Sequence, residues 1–417
     1  MRMLLCAALI GLAAAGAVKA QPEAQGQNLL TRSDAVARAL ESDPGVAAAG
    51  ESLRAAEALA RQARLRPNPS LDVQLEDFGG SGPVSGFDGA QATYSLSQEF
   101  ELGGDRRARS MLADRETGAA RIRAGLSELD LREAVELAFV EAQAAEALVS
   151  IAQSRLEVAK DFAAAVDRRV RAARDPEAAR ARVAARLAET EIEVETTRAR
   201  SGAAKTALAS YWGGAGDFSL ETTTFFNPAS RGASGNASPD IALVEAERDS
   251  AAARVEIERA KRVPNPDVQA GFRQLRGVDE SAFVVGVSVP LPIWDRNSGG
   301  IAAAQADKRR AEYEVMARER ELAREIAYLS SQVEAARTQI NAYADRIIPA
   351  SERALSQSLS AYRQGGLSYI EVLDAQSSLA EARTRQISAL LTYHRAEAKL
   401  ARRMGALSPD YFQENSQ

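Results

Sequence analysis

The chain has 417 residues, of which 46% are hydrophobic and 26% are charged, and its formal net charge is −5. This composition excludes a disordered chain and a bundle of membrane helices, and the negative charge argues against a general nucleic-acid-binding surface. One cysteine and one histidine exclude an intrachain disulfide framework and a Cys/His zinc site.

The N-terminal residues 1–20 are typical of a secretory signal peptide. A positively charged start, a short apolar run and small residues before Gln21 indicate cleavage at that residue. The single cysteine, Cys6, lies within this segment and most of the apolar run follows it, so we expect no acylation and a mature chain without cysteine. No later apolar stretch is long enough to predict a membrane-spanning helix.

Two segments of the mature chain resemble each other, which predicts a duplicated unit. Residues 43–74 and 238–269 each begin as a helical stretch with a proline near its start, and each runs through Pro-Asn-Pro into an alternating stretch. The first of these helices is predicted over about 32–66, within an N-terminal segment that covers 21–66.

A β-hairpin is predicted after each repeated helix, over 67–104 and 264–294. Each hairpin contains two runs in which apolar and polar residues alternate over roughly 9–11 residues, the length that a tilted strand needs to cross a bilayer. Four such strands cannot close a barrel alone, because an open edge in lipid leaves backbone groups unpaired. Copies from three chains would give twelve strands and an aqueous lumen. The alternative is a soluble sheet domain.

Long helical sequence follows each hairpin. Residues 105–210 and 295–405 predict two long helical hairpins, and residues 105–172 alone would form one helix of about 100 Å. Between them we expect an irregular equatorial segment over 211–239 and a helix over 240–263. A short tail, 406–417, ends the chain.

Both long tracts carry a sustained heptad pattern, which is typical of coiled-coil packing. Many of the seam positions are alanine, which lets neighbouring backbones approach closely. Pro349 interrupts the second tract, and we expect a local bend there. His394 lies on a similar stripe of the last helix, where a packed seam residue is favoured over a metal ligand.

Several segments carry a resemblance to a known family. The sequence YRQGGLSYIEVLDAQ (362–376) resembles the helix-turn-helix tip of TolC-type outer-membrane efflux channels. PNPSLDVQ and PNPDVQ resemble their helix-to-strand junctions. Residues 98–110 and 288–301 resemble their strand-to-helix junctions, and the second is similar to the heavy-metal efflux branch, the CzcC- and CusC-like proteins.

The resemblance implies a mostly α fold with a membrane β-barrel. Each chain would supply four strands and a share of a long coiled-coil α-helical barrel, and a homotrimer would close a twelve-stranded barrel in the outer membrane, extending into the periplasm of a Gram-negative bacterium. Such a protein is a passive conduit, with no catalytic site and no cofactor. It contacts outer-membrane lipid, and no nucleic acid is expected as a partner.

The resemblance also implies partners and a cargo. An inner-membrane pump of the resistance-nodulation-division type would deliver the cargo through a periplasmic adaptor (membrane fusion) protein, and the branch indicates heavy-metal cations. Export of organic toxicants, drugs or a protein through the same fold stays open, as does a periplasmic coiled-coil scaffold that conducts nothing.

The resemblance assigns roles to five residues at the predicted tip. Glu371 and Asp374 are three residues apart on one helix face and match carboxylates that ring the periplasmic entrance, where they would favour cations. The alternative interpretation is that these two residues are ordinary solvent-exposed charges on a helix. Tyr362 matches a tyrosine that holds the entrance closed, and Gly365 and Gly366 would form the tight turn and dock the adaptor.

The remaining candidates are weaker. Leu367 stands where some family members have arginine, so the closing contacts differ here. The matching tip of the first half has no glycine, and we expect Asp175 to cap a helix whose first residue is Pro176. Glu99 and Glu101 could bias the charge of the lumen. With no cysteine and few methionines in the mature chain, no metal relay site is predicted.

Overall fold

The computed structural model describes residues 29–82, 86–228 and 238–406. The predicted signal peptide and the tail beyond residue 406 lie outside the described residues.

The described chain is dominated by helices. The helices are α1 (Arg32–Ser42), α2 (Pro44–Ala63), α3 (Asp105–Arg171), α4 (Glu177–Ala209), α5 (Thr223–Phe226), α6 (Pro239–Ala260), α7 (Ser298–Ala342), α8 (Ile348–Gln364) and α9 (Tyr369–Arg403). The strands are β1 (Leu29–Leu30), β2 (Ser70–Glu76), β3 (Gln91–Glu99), β4 (Ser219–Leu220), β5 (Asp267–Leu275) and β6 (Glu280–Ser288). The predicted mostly helical fold with four strands in two hairpins is confirmed.

The longest helix, α3, has 67 residues and is therefore about 100 Å long. It packs against α2 and α6 and also against α4 and α9. Six residues of the predicted heptad seam are buried, namely Val135, Ala142, Val149, Ala152, Ala159 and Val166. The alanines on this seam explain how the helix can pack against several neighbours along its length.

The helix expected over about 32–66 is two helices, so that prediction was wrong. Asp43 lies between them in an extended conformation, and its side chain accepts a hydrogen bond of 2.9 Å from the backbone N–H of Val46. Pro44 occupies the first position of α2, where its missing N–H costs nothing. The residue before a proline disfavours helical geometry, which explains the break.

The bend expected near Pro349 takes the form of a π-helical turn over Tyr343–Ile347, immediately before α8. A proline lacks the N–H for the normal helical hydrogen bond, and its ring collides with the carbonyl four residues earlier. One wider turn relieves that collision, and the helix then continues.

Four strands form one antiparallel sheet in the order β2-β3-β5-β6. The two hairpins meet where β3 pairs with β5, with Ser95 opposite Gly271. Within this chain β2 and β6 each have one edge that pairs with no described strand. A sheet with two open edges can be extended by further strands on both sides.

The two faces of the sheet differ sharply in polarity. Leu71 and Phe283 are 71% and 96% exposed, whereas Thr93 and Ser95 are 6% and 7% exposed. The alternation predicted from the sequence therefore places large apolar side chains on the open face and polar side chains on the opposite face, which we call the covered face because the β3 side chains on it are buried.

Strands β3, β5 and β6 have nine residues each, as expected, whereas β2 has only seven. Pro69 precedes β2, Pro266 precedes β5 and Pro290 follows β6, and each lacks the N–H that a longer ladder needs. The last ladder-like bond beyond β3 runs from the N–H of Phe100 to the carbonyl of Pro266, at 2.8 Å.

The equatorial segment contains short ordered elements. β4 pairs in parallel with β1, so the start of the described chain is fixed beside residues 219–220. Leu30 and Leu220 are buried with Phe139 and Leu208 in one apolar cluster. Across the described residues, none of the helices combines the length and apolarity needed to cross a membrane.

Candidate functional site

Two helical turns lie together at the end of the molecule far from the sheet. One joins α3 to α4, and the other joins α8 to α9. In the second turn Gly365 has φ of 85°, and the N–H of Gly366 donates to the carbonyl of Ala361 at 2.9 Å. In the first turn Ala173 has φ of 56°, and the N–H of Arg174 donates to the carbonyl of Arg169 at 2.9 Å.

The two turns therefore use the same helix-ending motif, with alanine in the first where the second has glycine. A non-glycine residue in the left-handed region costs roughly 1–2 kcal/mol. The tip glycines predicted from the sequence thus have unequal roles: Gly365 needs its left-handed backbone, whereas a Cβ on Gly366 would meet only an ordinary contact of 3.6 Å with the Ala361 carbonyl.

The helix cap expected at Asp175 is wrong. Pro176, rather than being the first helical residue, precedes α4 as its cap, and no side chain accepts a hydrogen bond there. The Asp175 carboxylate instead faces the other tip. Its Oδ1 and Oδ2 accept two hydrogen bonds from the Arg169 guanidinium, at 3.1 and 3.0 Å.

Tyr362 completes a contact between the two tips. Its hydroxyl donates to Asp175 Oδ2 at 2.5 Å, and Arg169 Nη1 donates to the Tyr362 carbonyl at 2.9 Å. The Arg169 guanidinium also lies 4.6 Å from the centroid of the Tyr362 ring. We call Arg169, Asp175 and Tyr362 the tip cluster.

The electrostatics of the tip cluster are consistent with its hydrogen bonds. The Arg169 guanidinium lowers the pKa of the Asp175 carboxyl below its ordinary value, despite partial burial. Burial first, and then the neighbouring carboxylate, raises the pKa of Tyr362. The tyrosine hydroxyl therefore keeps its proton and donates a hydrogen bond to an ionised aspartate.

Apolar packing surrounds the tip cluster. Tyr362 is only 1% exposed, and its ring centroid lies 5.4 Å from that of Phe162. Val183 of α4 and Val372 of α9 belong to the same buried cluster. The two tips of one chain are thus joined both by a charged hydrogen-bond network and by a small apolar core.

The predicted entrance carboxylates, Glu371 and Asp374, lie on the exposed surface of α9 next to this turn. The backbone N–H of Ser368 donates to Glu371 Oε2 at 2.8 Å, and the two residues form a capping box at the start of α9. Glu371 therefore stabilises the helix start in each chain, whatever else it does. Neither carboxylate joins the tip cluster.

The covered face of the sheet carries the other predicted acidic residues. Glu101 forms an ion pair with Arg109 of α3, and Glu99 accepts a hydrogen bond from Asn265 Nδ2 at 2.9 Å. On the same face Arg273 Nε donates to Thr93 Oγ1 at 3.0 Å. Both carboxylates are thus engaged within the chain, but only Glu101 has a cationic partner.

His394 is buried, as its seam position predicts. Its Nε2 lies 2.9 Å from the Phe225 carbonyl oxygen, and the two rings stack with centroids 5.3 Å apart. Over residues 29–82, 86–228 and 238–406, no three His, Cys, Asp or Glu side chains are grouped as metal ligands would be.

Sequence reasoning missed two arginines. Arg169 gave no local signal, because its partners are distant in sequence. Arg402 is 2% exposed and pairs with Asp130 and Asp240, at 2.7 Å each. Burial raises the pKa of Asp240, but the Arg402 guanidinium outweighs that effect and holds the pKa below its ordinary value. Arg402 lies two helical turns beyond His394 on the same stripe, and a charged residue on a buried stripe indicates a buried partner.

The sequence matches the family model described as "Outer membrane efflux protein" over residues 35–214 and 234–406. The cobalt-zinc-cadmium resistance protein CzcC of Cupriavidus metallidurans is 30% identical over 385 residues, which cover 90% of each chain. The nickel and cobalt resistance protein CnrC of the same organism is 32% identical over 283 residues, which cover 66% of each chain.

Solved structures support the same fold. CusC superposes with a TM-score of 0.77 at 17% identity, covering 89% of this chain and 91% of its own. VceC of Vibrio cholerae also gives a TM-score of 0.77, at 21% identity, covering 90% of this chain and 96% of its own.

Proposed function

Because the chain belongs to the outer membrane efflux protein family, we propose that it is the passive exit duct of a tripartite efflux system whose cargo is heavy-metal cations. In this proposal three copies form a homotrimer in the outer membrane. A periplasmic adaptor connects the trimer to an inner-membrane pump of the resistance-nodulation-division type, which supplies the energy.

The observation that carries the proposal is the four-stranded sheet with two open edges. Its exposed face is apolar and its covered face is polar, which is the alternation of a barrel with lipid outside and water inside. Lipid cannot satisfy the unpaired backbone groups of β2 and β6. Pairing β6 of one copy with β2 of the next removes every edge, and three copies give twelve strands and a water-filled lumen.

The helices would form the part of the duct that crosses the periplasm. α3 is about 100 Å long, and α7 with α8 forms a second tract of similar length that is continuous through the π turn. Neighbouring helices cover each of these tracts in two pieces, and three such walls would enclose a tunnel. Diffusion through this tunnel requires no nucleotide and no catalytic group.

The tip cluster would act as a closing contact at the periplasmic end. Widening the entrance by separating the two tips of one chain must break the bond between Tyr362 and Asp175 and pull Arg169 away from the tyrosine carbonyl. Adaptor binding at the turn formed by Gly365 and Gly366 would supply the free energy for that separation.

Glu371 and Asp374 would form the selective part of the entrance. Three copies give a ring of six carboxylates, which lowers the electrostatic energy of a cation and raises that of an anion. Both side chains are exposed on α9 beside the turn. Glu371 stays on the exposed surface while it accepts the capping hydrogen bond, so capping the helix and lining the entrance are compatible roles.

The choice of cargo rests on the relatives. CzcC is named as a cobalt-zinc-cadmium resistance protein, and CnrC is named as a nickel and cobalt resistance protein. The entrance carboxylates would favour such cations without selecting among them, so selection among metals would occur in the pump or the adaptor.

Deletion of the gene tests the proposal. We expect the deletion strain to lose tolerance to at least one of cobalt, zinc, cadmium or nickel, and the wild-type gene in trans to restore it. The control is tolerance to an organic toxicant such as a dye. Unchanged tolerance to all four metals, or loss of tolerance to the dye alone, would contradict the proposed cargo.

A further inference from the structure

A groove of about 1040 Å³ lies at the first strand-to-helix junction. Its walls are the residues that follow α2, the end of β3 with the residues after it, and the first turns of α3. All of these belong to one chain, so the groove does not need a second copy to be complete.

The groove is rich in arginine. Arg66, Arg106 and Arg107 line it and are exposed, and none of them forms an ion pair with another described residue. Arg64 also lines the groove, but it is neutralised by Asp114 at 2.8 Å. Glu99 and Glu101 also line the groove, but Glu101 is paired with Arg109. Three guanidinium groups without an ion pair therefore outnumber the one carboxylate, Glu99, that has no arginine partner, and the groove is net positive.

The start of α3 adds to the positive potential. Gly104 precedes the helix in the left-handed conformation, and no side chain caps the first backbone N–H groups. These groups carry the positive end of the dipole of a 67-residue helix. An anion in the groove would meet both these N–H groups and the guanidiniums.

One wall of the groove is apolar and faces outward. Phe100, Leu102 and Met111 line it and are 49%, 68% and 37% exposed. Phe100 and Leu102 continue the alternation of β3, so they lie on the same side as the exposed Leu96. The groove thus joins the apolar face of the sheet directly to a cationic surface.

We propose that this groove binds the phosphate of an anionic phospholipid in the periplasmic leaflet of the outer membrane. The three unpaired arginines would bind the headgroup, and Phe100, Leu102 and Met111 would contact the acyl chains. A free anion would satisfy the arginines but would leave the apolar wall in water, which is why a lipid is the better occupant. The inference rests on the outer-membrane position of the sheet in the proposed function.

The second repeat lacks the same site. Val263 stands at the position of Arg66. Gly299 and Gly300 are the second and third residues of α7, where α3 has Arg106 and Arg107. We therefore expect one lipid site in each chain, at the first junction only.

The test uses full-length protein purified as the detergent-extracted oligomer. Binding of short-chain phosphatidylglycerol is measured by native mass spectrometry for the wild type and for Arg106→Gln combined with Arg107→Gln. The matched control is Arg262→Gln combined with Arg296→Gln, which removes two exposed arginines at the junctions of the second repeat. Parallel samples contain phosphatidylcholine or inorganic phosphate.

We expect the groove variant to bind phosphatidylglycerol about tenfold more weakly, and the control variant to bind as the wild type does. Equal binding by the groove variant and the wild type overturns the proposal. Displacement of the lipid by inorganic phosphate at equal concentration also overturns it, as does phosphatidylcholine binding as tightly as phosphatidylglycerol. Conductance of the groove variant is recorded separately, so a failed lipid site is distinguishable from a failed channel.

Discussion

Replacing Tyr362 with phenylalanine removes one hydroxyl from the tip cluster and leaves the ring in place. The lost bond is 2.5 Å long, and its acceptor is the ionised Asp175 carboxylate. A hydrogen bond to a charged group contributes about 1.5–3 kcal/mol. Because Arg169 still donates two bonds to the carboxylate, the lower end of that range applies. We expect about 1.5 kcal/mol per chain.

That free energy favours the closed tip over the separated one, so its loss shifts the closed-to-open ratio by about tenfold for each tip that opens independently. The assay is the open probability of single channels in planar bilayers, without adaptor. The matched control is Tyr369→Phe, which removes a hydroxyl that accepts a 3.1 Å bond from Arg182 on the exposed surface. An open probability of Tyr362→Phe no higher than that of Tyr369→Phe would refute the gate role.

The same cluster predicts a pH dependence with a definite sign. Arg169 depresses the pKa of Asp175 below its ordinary 3.8, so the closed tip is stabilised above that value and loses this stabilisation as the pH falls through the lower pKa. Open probability should therefore be flat from neutral pH to about pH 4 and rise below it. In Asp175→Asn this acid response should be absent.

Three further predictions concern selectivity and stability. Glu371→Gln combined with Asp374→Asn should lower the preference for cations, measured by reversal potentials. The start of α9 should stay intact, because glutamine also forms a capping box. Unchanged selectivity would contradict the carboxylate ring. Ala173→Gly should stabilise the purified protein by about 0.5–1 kcal/mol in urea unfolding, whereas Gly365→Ala should destabilise it by about 1 kcal/mol. If both substitutions changed the free energy of unfolding in the same direction, the left-handed backbone assigned to the two turns would be contradicted. Arg402→Ala should cost about 3 kcal/mol in the same assay, because the largely buried Asp240 loses its closest arginine partner and keeps only Arg318 at 3.4 Å. A loss below about 1 kcal/mol would show that the pair contributes little.

Much of the fold was predictable because its signals are local. The heptad seam of α3 and the alternation in the strands depend only on which residues are apolar and at what spacing. The two Pro-Asn-Pro segments mark where helix changes to strand. Because the sequence repeats, the helix-to-strand change predicted in one half supports the same prediction in the other half.

The errors in the fold also have local causes that were given too little weight. Pro44 divides a helix that the apolar pattern alone would continue, and Pro69 lies directly before β2, the one strand shorter than predicted among the four. In both cases a missing N–H overrides a favourable pattern.

The tip cluster could not be predicted, because its geometry depends on contacts between distant residues. Tyr362 and Asp175 are 187 residues apart, and nothing near Asp175 indicates which tip it faces. The left-handed Ala173 is similar: alanine does not favour that backbone, and the turn adopts it only because the surrounding helices fix both its ends.

In the proposed function each chain supplies four strands to a shared pore and cannot close that pore alone. Single-channel recording on protein extracted from the outer membrane and purified tests this most directly. If three chains share one pore, a purified trimer gives discrete conductance steps with a preference for cations. A monodisperse single subunit that passes no current would contradict it.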